Sequence, residues 1–175
     1  MLEGWWDIVV AGEQQHDVSS EAELLSFYDV AFDDVYSVAA RLTWGDRSAA
    51  EDLVQDAFVR LVRSVGSGAV TTVGVGWMIT TVRRLHIDGL RAKDREQRRL
   101  RVVPTSSSQP ASTSSNEVLG MLDGLTDRER AAIILRYVDD LSVAEVADLM
   151  GDSLRATESL LQRAKRKVRN TRSAS

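Results

Sequence analysis

Arg155, Glu158, Ser159, Gln162, Arg163 and Arg166 follow one another at steps of three and one near the C-terminus, so a helix would carry all six on one face. The face suits reading a nucleic acid. Arg and Gln make bidentate contacts to guanine and adenine edges, Glu accepts from cytosine, and Lys or Arg on phosphate only positions. A second basic group, Arg83, Arg84, Arg91, Lys93, Arg95, Arg98 and Arg99, follows Trp77. An aromatic there is either a core residue or a platform on which an unpaired base stacks. Asp52, Gln55, Asp56 and Val59 share a third face at helical spacing, either merely solvated or a docking surface for a basic partner. No acid–base, nucleophile or metal set is visible. The chain has no cysteine, and its two histidines, His16 and His86, lie far apart. Gly66-x-Gly68 and Gly74-x-Gly76 fit neither phosphate-loop pattern. An enzyme is not expected, nor is a metal, a cofactor or a small-molecule substrate.

These faces need helices to hold them. In Ser142–Arg169, Ser142 and Glu145 have capping-box spacing, with Val143, Val146, Ala147 and Met150 on one side. Gly151 ends that helix, and Asp152 or Ser153 caps the next. There Leu154, Thr157, Leu161, Ala164 and Val168 form a narrow stripe opposite the basic face. The pattern is a helix-turn-helix, although a helix hairpin with a solvated basic face is the plainer reading. Ser20/Glu23, Ser48/Glu51 and Thr126/Glu129 repeat the capping spacing at the starts of three more periodic runs. The first buries an aromatic-rich stripe from Leu24 to Leu42. The second buries Ala50, Leu53, Val54, Ala57, Phe58, Leu61 and Val62, and the third Ala131, Ile134, Leu135 and Val138. A short apolar helix is expected from Val118 to Leu125. Residues 66–76 read as a mobile loop, followed by a helix whose Met78, Val82 and Leu85 face inward.

With 175 residues, 43% of them hydrophobic and only two prolines, the chain is expected to be all-α, with two small helical domains joined by a flexible linker. Residues 1–19 form an extension, 20–100 the first domain, 101–116 the linker and 117–171 the second domain. Ser, Thr, Pro and Gln dominate the linker, which fully extended reaches roughly 55–60 Å, against about 34 Å for one turn of DNA. Net charge is −4, but it alternates along the chain. Residues 1–60 hold 13 acidic and 3 basic side chains, 61–116 hold 3 and 9, 117–150 hold 8 and 3, and 151–175 hold 2 and 7. Two separate positive patches result, each able to meet phosphate. No signal peptide or membrane-length apolar run is present, so a cytoplasmic protein without membrane insertion is expected.

With these residues in view, the chain resembles the extracytoplasmic-function group of bacterial RNA polymerase sigma factors. AEDLVQDAFVRL (Ala50–Leu61) is similar to the segment that docks on the β′ clamp helices. WMITTVRRLHIDGLR (Trp77–Arg91) is similar to the minus-ten segment, and Leu125–Arg169 to the region-four helix-turn-helix. The resemblance implies a region 2 bundle, a region 4 helix-turn-helix, and a factor that brings core polymerase (β′ and β subunits) to promoter DNA and helps melt the minus-ten region. Asp52, Gln55, Asp56 and Val59 would contact polymerase. Trp77, Arg83, Arg84, Arg91, Lys93 and Arg95 would meet the minus-ten element, the loop before Trp77 holding a flipped-out base. Arg155, Glu158, Ser159, Gln162, Arg163 and Arg166 would face the minus-thirty-five element. An anti-sigma factor is a further implied partner. Two positions depart from the family pattern: Arg84 stands where Asn is common, and Leu154–Glu158 replaces a Gly-Thr-Val-Lys type run. The alternative is a freestanding helix-turn-helix regulator with an N-terminal dimerisation or sensing domain.

Overall fold

The computed structural model describes residues 14–100 and 124–174, which form two units parting between His86 and Ile87. The expected linker 101–116, the apolar residues Val118–Leu122 and residues 1–13 lie outside the described residues. The described parts are helical apart from one two-stranded ladder.

In the first unit, α1 (Glu21–Leu42) opens on the expected capping box, with Ser20 N–H donating to Glu23 Oε2 at 3.0 Å and Glu23 N–H to Ser20 Oγ at 3.3 Å. Phe27, Ala31, Val35, Val38, Ala39 and Leu42 recur at three or four residues and are buried. They lie on the side of α1 that packs against α2 (Arg47–Gly66). Across the two helices the Tyr28 and Phe58 rings meet at 4.7 Å, an attractive tilted geometry. The aromatic cluster of α1 is not all core, however. Phe27 is buried, whereas Tyr28 is 40% exposed.

Two expectations for α2 are corrected. Its cap is Asp46, whose Oδ1 accepts from Ala49 N–H at 3.1 Å, while Glu51 pairs with Arg47 at 2.7 Å, so Ser48 and Glu51 form no capping box. Val62, expected inside, is 50% exposed. At 100° per residue it falls beside Val59 on the outer face, away from Leu53, Ala57 and Leu61.

The loop after α2 is more ordered than expected. β1 (His16–Asp17) pairs antiparallel with β2 (Thr72–Val73), matching His16 to Val73 and Asp17 to Thr72, and α3 (Val75–Leu100) begins two residues later. Neither strand has a local sequence signal. Each exists because the other satisfies its backbone. In α3, Met78 and Val82 are buried as expected, but Ile87 takes a core position while Leu85 is half-buried.

In the second unit, α4 (Asp127–Ile133) starts at the Thr126/Glu129 capping box and runs into a π-helical turn, Ile134–Val138. The wider turn shifts the residues at its end around the helix axis, and Val138, expected inside, is 57% exposed. Then α5 (Val143–Met150), opened by the Ser142/Glu145 box, is closed by Gly151 at φ 58°, the left-handed conformation that glycine adopts without a Cβ clash. The last helix is α6 (Leu154–Ala174). Ser153 caps it, accepting from Ala156 N–H at 3.2 Å. Both α4 and α5 pack on α6. Fully buried side chains such as Leu135 and Met150 contribute about 1.5–3 kcal/mol each relative to exposure. On α6 the inner stripe holds Thr157, Leu160, Leu161 and Ala164. Leu154, expected at its head, is 51% exposed because it opens the helix a turn before the first buried residue.

Candidate functional site

Three surfaces carry the residues singled out by sequence. On α2, Leu53, Val54, Ala57 and Leu61 are buried and the opposite side presents Asp52, Gln55, Asp56 and Val59, all exposed. The structure thus brings these four together on one face. Beside them lies an open groove of about 380 Å³ lined by Asp56, Val59, Arg60, Arg63 and Leu85. The apolar content of the face is larger than its sequence suggested, since Val62 adds to Val59. Exposed aliphatic side chains flanked by carboxylates offer a partner both desolvation and charge complementarity.

The second surface is the head of α3. Trp77 is half-buried, and its backbone N–H donates to Gly74 O at 3.1 Å. Thr81 Oγ1 donates to Trp77 O at 2.8 Å, tying the first turn together. Arg83 and Arg84 are half-buried. Further along, Arg91 donates to Asp88 at 3.0 Å and to Leu149 O at 3.4 Å, and Lys93 pairs with Asp127 at 2.7 Å. Arg95 is exposed. Trp77, Arg83 and Arg84 belong to the first unit and Arg91, Lys93 and Arg95 to the second.

The third surface is α6. Arg155, Glu158, Ser159, Gln162, Arg163 and Arg166 are all exposed on the side opposite Thr157, Leu161 and Ala164. Ser159 Oγ donates to Arg155 O at 2.9 Å, so its hydroxyl proton is engaged within the helix.

What holds α6 in place was not read from sequence. Arg128 on α4 donates to both carboxylate oxygens of Asp152 at 2.7 Å and to Met150 O at 3.5 Å, fastening the turn between α5 and α6. Both bonds to the carboxylate come from one guanidinium nitrogen, Nη2, and such charge-assisted hydrogen bonds are stronger than neutral ones. Asp152 therefore serves as an Arg128 partner rather than as the helix cap. Lys167 Nζ donates to the buried Glu129 at 2.7 Å. Burial raises the Glu129 carboxyl's pKa, but the Lys167 hydrogen bond, the Thr126 amide and the lysine's charge together hold it below the ordinary value. The only signal for either pair is an opposite charge far along the chain. Among the described residues no group of three or more His, Asp or Glu side chains is placed to hold a metal.

These surfaces coincide with known domains. The sigma-70 region 2 family model matches residues 28–96, and the sigma-70 region 4 model matches residues 115–168. The chain is 28% identical over 160 residues to the ECF RNA polymerase sigma factor SigK of Mycobacterium ulcerans, covering 85% of each. It is 30% identical over 148 residues to the ECF RNA polymerase sigma factor SigE of Mycolicibacterium smegmatis, covering 79% of this chain and 57% of that one. In fold it is similar to the sigma factor RpoE from Bartonella quintana, solved with the anti-sigma factor NepR. There the TM-score is 0.52 at 22% identity, covering 83% of this chain and 94% of that one. A region 2 match across α2 and α3 does not favour a dimerisation or sensing domain at those residues. With region 2 followed by region 4 in one chain, the protein belongs to the sigma-70 family of RNA polymerase sigma factors, in its extracytoplasmic-function group.

Proposed function

We propose that this sigma factor docks on core RNA polymerase through Asp52, Gln55, Asp56 and Val59, with Val62 extending the apolar part of that face. Trp77 and the turn before it then receive an unpaired base of the minus-ten element, while Arg83 and Arg84 approach the adjacent backbone. Arg91, Lys93 and Arg95 contribute further phosphate contacts. The α6 face reads the minus-thirty-five element: Arg155, Gln162 and Arg163 by donating to base edges, Arg166 by holding phosphate, and Glu158 by accepting from a cytosine amine. On this reading residues 20–100 act as region 2 and 117–171 as region 4, joined by 101–116. The chain works in the cytoplasm and performs no bond chemistry of its own.

The observation that supports it best is the exposure of two chemically different faces. An acidic and apolar face on α2 and a six-residue polar, basic face on α6 are both exposed, each opposite a buried stripe. The test is run-off transcription with core polymerase on a promoter library. Transcripts with defined starts that appear only when the chain is added are expected. Absence of such transcripts, together with a dimer in light scattering and a palindromic footprint, would replace this reading with that of a freestanding regulator.

A further inference from the structure

We propose that the N-terminal segment His16–Ser19 is a positioning element for base selection, bracing the turn ahead of Trp77 so that the pocket for an unpaired base is preformed. The proposal rests on the promoter-reading role of the head of α3.

The brace is a continuous set of contacts. Val18 N–H donates to Thr71 O at 2.9 Å, extending the ladder in which His16 faces Val73 and Asp17 faces Thr72. Val18 is 0% exposed and Val73 2%. Gly74, next in the chain, is buried, and its carbonyl accepts the Trp77 N–H, so the strand leads directly into the first turn of α3. At its other end β1 is tied to α1. Asp17 Oδ1 accepts from Ser19 N–H at 2.8 Å and from Ser19 Oγ at 2.6 Å. Ser19 Oγ also lies 3.3 Å from Glu23 Oε2 in the α1 capping box. The His16 ring sits 5.3 Å from that of Phe27.

A two-residue ladder is not stable alone. Here it persists because burial of Val18 and the Asp17–Ser19 turn hold one strand on α1, and that strand then holds the other. A loop rich in glycine, with Gly68 at φ 71°, otherwise has many conformations open to it. Losing the brace leaves every residue of the base pocket present but unsupported, and a site left loose loses selectivity before it loses all binding.

Three chains are compared at a temperature where all are folded by circular dichroism: the full chain, Val18→Pro (which removes the N–H that Thr71 accepts), and the milder Asp17→Ala (which unlatches Ser19). Amide hydrogen exchange is followed at residues 71–77. Core polymerase affinity is measured, and so is base preference on fork templates bearing each base at the unpaired minus-ten positions. Faster exchange at 71–77, unchanged affinity for core, and a preference falling from about fivefold to hundredfold per base toward equality are expected. Unchanged exchange would overturn the brace itself. Unchanged preference, or a preference lost only in step with core affinity, would reduce the segment to a general stabiliser and overturn the proposal. If the full chain directs no transcription with core enzyme, the underlying promoter-reading role fails, and this proposal with it.

Discussion

At Thr157 the hydroxyl lies fully buried on the inner side of α6 with no hydrogen-bond partner, in the first turn of the helix that presents the reading face. An unsatisfied buried hydroxyl costs more than a methyl group in the same place. Thr157→Val is therefore expected to stabilise the second unit by about 1 kcal/mol, seen as a higher midpoint in thermal unfolding; a lower midpoint would mean that the hydroxyl has a partner. Glu129 is the opposite case, a buried carboxylate well supplied with donors from Lys167 and Thr126. Its folded pKa is depressed, so the stability it contributes is full above the unfolded value of about 4.3 and is lost as pH falls through the lower folded value. Glu129→Gln keeps the shape and removes the charge. Its stability at pH 7 is expected to be lower than that of the parent, and the gap should close as the solution is acidified below about pH 4. Denaturant melts across that range check it, and a gap constant with pH would refute the assignment.

At the scale of elements, α2 and α6 share one design, a buried stripe backed by a functional face. The difference lies in what the face offers. On α2 the carboxylates of Asp52 and Asp56 flank exposed Val59 and Val62, and none of these four packs inward. Reversing both charges, Asp52→Lys with Asp56→Lys, is expected to abolish capture of core polymerase while helical content and melting stay those of the parent. Wild-type pull-down would move the docking surface elsewhere on the chain. The sequence pattern identified this face because helical geometry is local, and a 100° step sorts residues into inner and outer sets without reference to the rest of the fold. The expected stripe is too wide in including Val62, which the helical step puts half a turn from the buried Leu53 and which is exposed. Val138 was beyond such a rule, since the π-helical turn that rotates it has no periodic signature.

For the whole molecule, the alternation of charge matters more than its sum. A chain of net charge −4 is repelled by duplex DNA at long range even though residues 61–116 and 151–175 are basic. The purified protein is thus expected to bind promoter duplex weakly at moderate salt and strongly once core polymerase is added, as a fluorescence anisotropy titration would show. Tight binding by the chain alone would remove the coupling between docking and reading. From its sequence alone this protein was settled as helical, with two basic stretches, a helix-turn-helix and exposed faces on α2 and α6, because capping chemistry, glycine at a left-handed turn and the helical period act over a few residues. Tertiary structure alone decided that His16 pairs with Val73, that Arg128 clasps Asp152, and that Lys167 neutralises Glu129. Those contacts join residues far apart in the chain, and such partners are chosen by how packed elements meet, which leaves no trace in local spacing.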